Sequence, residues 1–181
     1  MEMVAASKMR RAQERGLAGR AYAEKIRQVI ADLAALPEMR VHPLLQYRPV
    51  NRIAIVHITP DRGLCGGLNA NINRTAASFI LKQQAPVVII TLGLKGRVFM
   101  TRTGQEIRAA FVRISDHPSV ADILPAARIA IDDYTNAYVD QVFLCYTQFV
   151  TTMTQRPVIW QLLPIEPATE AGRNIEYIYE P

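Results

Sequence analysis

At 181 residues, half of them hydrophobic and a fifth charged, the chain suits one ordinary globular domain plus an extension, long enough to bury a real core. No apolar run approaches the roughly 18 residues that span a bilayer, no secretory pattern opens the chain, and Cys65, Cys145, His42, His57 and His117 show no metal-ligand spacing. The net charge of +5 is uneven: near the N-terminus Lys8, Arg10, Arg11, Arg15, Arg20, Lys25 and Arg27 oppose only Glu2, Glu14 and Glu24, so a basic segment that fits an acidic partner surface precedes a nearly neutral body.

The basic segment predicts one long helix. Up to about residue 36 it has no proline and is rich in alanine, methionine, arginine and glutamate, all good helix formers. Tyr22, Ile26, Val29, Ile30 and Leu33 recur at helical spacing as one apolar stripe, and Pro37 ends the run. At about 1.5 Å per residue such a helix spans on the order of 50 Å, more than a compact domain needs. Its first half lacks a stripe of large apolar residues, and Gly16 and Gly19 weaken it or admit another backbone. The helix is therefore expected to pack against something absent from this sequence. A linker over 37–50, with Pro37, Pro43 and Pro49, leads to a globular body over 51–181.

In the body, a strand is predicted over 52–59, then a helix over 69–84. A second strand over 86–92 precedes a short helix over 93–102, and a third strand covers 105–114. A helix over 119–138, with Asp116 or Ser119 as N-cap, precedes strands over 139–150 and 156–164. Alternating strands and helices predict an α/β fold with a mixed, mostly parallel sheet and flanking helices. The last two strands, joined near Thr154-Gln155, fit an antiparallel hairpin.

Between the first strand and its helix runs Asp61-Arg62-Gly63-Leu64-Cys65-Gly66-Gly67-Leu68-Asn69, where nucleotide-binding folds carry their phosphate loop. A dinucleotide loop needs Gly-x-Gly-x-x-Gly so that the backbone turns tightly and then approaches a pyrophosphate. Here the spacing is Gly-x-x-Gly-Gly. The second strand lacks the acidic residue that binds a ribose, and Leu68-Asn69 stands where a P-loop needs Lys-Ser/Thr. The favoured reading is a structural turn in which Gly63, Gly66 and Gly67 permit positive φ and Asn69 caps the helix. A small Rossmann-like nucleotide-binding enzyme using residues 63–69 is the alternative.

Other candidate chemistry is thin. Asp132 and Asp133 are adjacent on a helix, do not face one another, and read, with Asp116, as solvated. No serine, cysteine or lysine has a recognisable base partner. Tyr177 and Tyr179 alternate with Ile178 near the C-terminus, as a packed strand or as a partner-contact surface. Nucleic acid is a rival acidic partner for the basic segment, but no aromatic-plus-basic stripe supports it.

Six segments, in order along the chain, carry a resemblance. Met1-Glu2-Met3-Val4-Ala5-Ala6-Ser7-Lys8-Met9-Arg10-Arg11-Ala12-Gln13, the glycine segment 61–69, Asp116-His117-Pro118-Ser119, Thr152-Met153-Thr154-Gln155, Gln161-Leu162-Leu163-Pro164 and Tyr177-Ile178-Tyr179-Glu180-Pro181 together resemble the gamma subunit family of F-type ATP synthase. The similarity covers essentially the whole chain.

The resemblance implies a Rossmann-like body preceded by one half of an antiparallel coiled-coil shaft. Family members begin roughly one helical segment before the position of Met1 and continue past that of Pro181 into the long helix that completes the shaft. It further implies a non-catalytic rotor subunit without cofactor or metal, with alpha, beta and epsilon subunits and the c-subunit ring as partners. Membrane contact would come only through the complex, at the cytoplasmic face of a bacterial plasma membrane. Lys8, Arg10, Arg11 and Arg15 are expected to meet an acidic lever loop of the beta subunit, and Tyr177 and Tyr179 the c-ring and epsilon side.

Overall fold

A computed structural model describes residues 2–115 and 118–166. By their contacts the described residues divide into two compact units, one over 42–164 and the other containing 2–41. In the second unit, helix α1 covers Glu2–Ala34, which is 33 residues and about 50 Å at the α-helical rise. A turn of 3-10 helix over Pro37–Val41 follows, so the proline break falls where the sequence puts it.

The 42–164 unit is built on a five-stranded sheet with order β3-β2-β1-β4-β5. Its elements run β1 (Ile53–Ile58), α2 (Leu68–Ile80), β2 (Val87–Leu92), α3 (Leu94–Arg102), β3 (Glu106–Phe111), α4 (Val120–Thr135), β4 (Gln141–Phe149) and β5 (Gln155–Leu163). β1 pairs in parallel with β2 and β4, β2 pairs in parallel with β3, and β5 returns antiparallel to β4. The mixed, mostly parallel sheet predicted from the sequence is thus observed.

The central strands read as continuous apolar runs because both of their faces are covered. Ile53, Ala54, Ile55, Val88, Ile89 and Ile90 are all fully or almost fully buried. On one face, Ile55, Ile89 and Cys145 pack with Ile72 and Ala76 of α2 and Met100 of α3. The spacing of Ile72, Ala76, Phe79 and Ile80 aims one side of α2 at the sheet, and the Phe79 ring meets Phe143 at 4.8 Å between centroids. The chain then crosses past β1 through α4, which packs against β1, β2 and β4 through its buried Ala126, Ala130 and Tyr134. Ser119 is the N-cap of α4, and its backbone N–H and hydroxyl both donate to Asp122 Oδ2 at 2.7 Å. The alternative cap, Asp116, lies outside the described residues.

Candidate partner-binding surfaces and the glycine turn

Helix α1 carries most of the predicted contact residues. One turn of helix places Lys8, Arg11 and Arg15 along one line and Arg10 along another. Arg11 and Arg15 are exposed, whereas only the helical position of Lys8 is described. Arg10 Nε lies 3.0 Å from Glu14 Oε1, one turn on, and Arg20 pairs likewise with Glu24 at 3.1 Å. Part of the basic charge is therefore answered along the helix itself. The apolar stripe is open to solvent, with Tyr22 at 71% exposure and Ile26 and Ile30 at 39%. Tyr177 and Tyr179 lie outside the described residues.

The glycine turn is held by its own polar groups. Asp61 Oδ1 accepts from Leu94 N at 2.7 Å, at the start of α3. Thr59, buried just before the turn, accepts at Oγ1 from Gly96 N at 2.8 Å. Left-handed backbone occurs at Gly66 (φ 58°) and, against expectation, at Leu64 (φ 58°), not at Gly63 or Gly67. Gly67, with φ −77°, is the N-cap residue. The expectation that Asn69 caps α2 is corrected: Asn69 lies inside the first turn, where its Nδ2 donates to Arg62 O (3.1 Å) and Cys65 Sγ (3.0 Å). It ties the loop from within because a side chain at the second helical position points back over the turn before it.

A cleft of about 680 Å³ opens at the carboxyl ends of the parallel strands, lined by Ile58, Leu92, Ile114 and Ile123 with Arg62 and Arg113 among its polar residues. An open α/β sheet offers ligands this edge. Asp61, which also lines it, is engaged by the α3 backbone. Among the described residues no group of three or more His, Cys, Asp or Glu could hold a metal ion.

Three buried polar arrangements were not read from the sequence. His57, wholly buried on β1, contacts Asn73 Oδ1 through Nε2 at 2.9 Å. Burial lowers its pKa from 6.5, and the Asn73 hydrogen bond opposes that shift. Asp133 is not solvated as expected: its side chain is 7% exposed, and Arg108 donates to both of its oxygens at 3.0 Å. Asp132 is exposed. Helical spacing was the available signal, because Asp133 continues the buried line of Ala126 and Ala130. The third arrangement joins Arg48 to Asp140, with Nε 2.7 Å from Oδ1 in an ion pair whose N–H is not aimed along a straight hydrogen bond.

No helix among the described residues is long and apolar enough to cross a membrane. The family model described as ATP synthase matches residues 1–181. The ATP synthase gamma chain of Dehalococcoides mccartyi is 56% identical over 184 residues, covering 100% of this chain and 65% of the relative. That of Herpetosiphon aurantiacus is 44% identical over 193 residues, with the same coverages. This chain therefore spans less than two thirds of the length of either relative. Among solved structures, the central stalk and c-ring of Tetrahymena thermophila mitochondrial ATP synthase superposes with a TM-score of 0.66 at 28% identity, covering 91% of this chain and 70% of that one. On a match that runs through helix, glycine turn and sheet alike, the chain belongs to the ATP synthase gamma family.

Proposed function

We propose that the chain serves as a non-catalytic central-stalk rotor subunit of a proton-translocating F-type ATP synthase. It would carry the rotation of the c-subunit ring to the catalytic beta subunits. The observation that carries this reading is the family match over residues 1–181, which takes in the long helix and the sheet together. In this reading α1 is one strand of the shaft, and its exposed Tyr22, Ile26 and Ile30 form the seam for a second shaft helix. The stretch 37–50 links shaft to body. The proposed partners are the alpha and beta subunits around the shaft, with the epsilon subunit and the c-ring against the body. The complex would lie at the cytoplasmic face of a bacterial plasma membrane, with the subunit itself peripheral. The glycine turn is then a structural element, consistent with Asp61 Oδ1 and Asn69 Nδ2 both being engaged by backbone groups of the protein itself.

Lys8, Arg10, Arg11 and Arg15 are assigned to an acidic loop of the beta subunit. Exposed ion pairs contribute only about 0–1 kcal/mol each, which suits a contact that must form and release on every turn. Tyr177 and Tyr179 are assigned to the c-ring and epsilon side. The test replaces Arg10 and Arg11 with glutamate in a subunit of the relatives' full length, reconstituted with its synthase in vesicles. ATP-driven proton pumping per ATP hydrolysed is expected to fall. An unchanged ratio removes the proposed role of the basic surface, and a wild-type subunit that never assembles removes the rotor reading.

A further inference from the structure

We infer, resting on the rotor reading, that Arg48 and Asp140 are the force-bearing anchor that fixes the segment after the shaft helix to the sheet. The covalent path from α1 to β1 runs through residues 35–52. This stretch is interrupted by Pro37, Pro43 and Pro49, and about half of its described residues are exposed. A chain of that kind, left loose, is an elastic element that would store rotation instead of transmitting it.

It is not left loose. The Arg48 guanidinium pairs with Asp140, donates from Nη2 to Val139 O at 2.7 Å and to Tyr134 O, and lies 4.5 Å from the centre of the Tyr134 ring. Asp140 Oδ2 accepts the backbone N–H groups of Asn51 (2.8 Å) and Arg52 (3.2 Å). Tyr134, wholly buried, donates its hydroxyl to Gln46 O at 2.7 Å. Residues 46, 48, 51 and 52 are thus all bonded to residues 134–140, the end of α4 and its connection to β4.

That connection is braced further. The Tyr138 ring has two guanidinium groups against it, Arg52 at 4.6 Å and Arg108 of β3 at 5.0 Å from its centre, and Arg108 grips Asp133 with two hydrogen bonds. A force on residues 46–52 therefore reaches β1, β3, β4 and α4 together. The choice of polar contacts matters. Hydrophobic contact is non-directional and permits sliding, and an apolar pair of similar volume often matches a buried ion pair in stability. Charge-assisted hydrogen bonds, here from Arg48 Nη2 to two carbonyls and from two backbone N–H groups to Asp140, add fixed direction. The gain from Arg48 and Asp140 is resistance to shear.

The test uses the full-length rotor assembled with its stator, a bead on the globular body, and the width of its thermal angular fluctuation at stall. Arg48→Met with Asp140→Leu removes the directional, charge-assisted contacts, so the angular variance is expected to rise while ATP hydrolysis persists. Unchanged variance in assembled complexes overturns the inference, because a purely structural role would leave stiffness alone. If the double variant does not assemble, Arg48→Lys keeps the charge but loses the planar guanidinium that spans Asp140, the two carbonyls and the Tyr134 ring. A smaller rise in variance there supports the anchor and no rise overturns it. Failure of the wild-type subunit to assemble overturns the rotor reading, and this inference with it.

Discussion

His57 on β1 and Asn73 on α2, both buried, meet at 2.9 Å between the strand and the helix. The imidazole is completely buried, and Gly96 is packed so closely that a Cβ there would come within 2.7 Å of His57 Cδ2. A proton on this ring would bring a charge into a site without a counter-ion, so burial depresses the pKa. Below the ordinary value of 6.5 the unfolded chain takes up a proton that the folded chain refuses. Stability contributed by neutral His57 is therefore full above that pH and lost as pH falls from it through the depressed folded value. Denaturant titrations across this range are expected to show that slope. Replacing His57 with glutamine is expected to abolish it, whatever the absolute stability of the variant. A wild-type stability flat in pH across the range contradicts this account of the His57 environment.

The two cysteines separate by position. Cys145 is fully buried in the α2/α3 layer, and burial pushes its thiol up to about 12. Cys65 is partly exposed in the glycine turn. A thiol reagent at mildly alkaline pH is expected to modify Cys65 quickly and Cys145 only after unfolding. Rapid native labelling at Cys145 would contradict the packing of this layer.

Among the described glycines, Gly93 is the least replaceable. Its φ is 106°, and a Cβ would lie 1.9 Å from Thr59 O. Gly93→Ala therefore adds overlap to backbone strain and is expected to cost about 3 kcal/mol or more, or to prevent folding. Gly66, with φ 58° and open space around it, should lose only about 1–2 kcal/mol as alanine. Urea midpoints of the two variants check the order, and equal losses would contradict it.

Asp133 and Asp132 differ in burial although adjacent. Asp133→Asn removes the charge facing Arg108, whose own side chain is 46% exposed. The loss is expected to lower the urea midpoint, by less than breaking a fully buried pair would because Arg108 is screened by solvent. Asp132→Asn is expected to stay within about 0.5 kcal/mol of wild type. Matching midpoints for the two variants would show the ion pair to be without weight.

The sheet was legible because its strands are apolar runs punctuated by glycine and proline, and the bounds moved by only a few residues. The antiparallel return of β5 followed from the short Thr154-Gln155 connection. The polar interior was not legible. Arg48 meets Asp140, and Arg108 meets Asp133, across long stretches of sequence, and no local pattern encodes such pairs. Asn69 looked like a cap because its residue type favours caps, yet Gly67 opens the helix two residues earlier. Lys8, Arg10, Arg11 and Arg15 stood out by charge density, which marks a surface without naming what it touches.

The most direct test of the rotor reading is a calorimetric titration of this chain with the epsilon subunit of the same synthase. Epsilon is assigned to the globular body, so binding there does not depend on a second shaft helix. A stoichiometric complex is expected. A folded chain that releases no heat and forms no complex contradicts the reading, and a ligand screen at the glycine turn then becomes the next experiment.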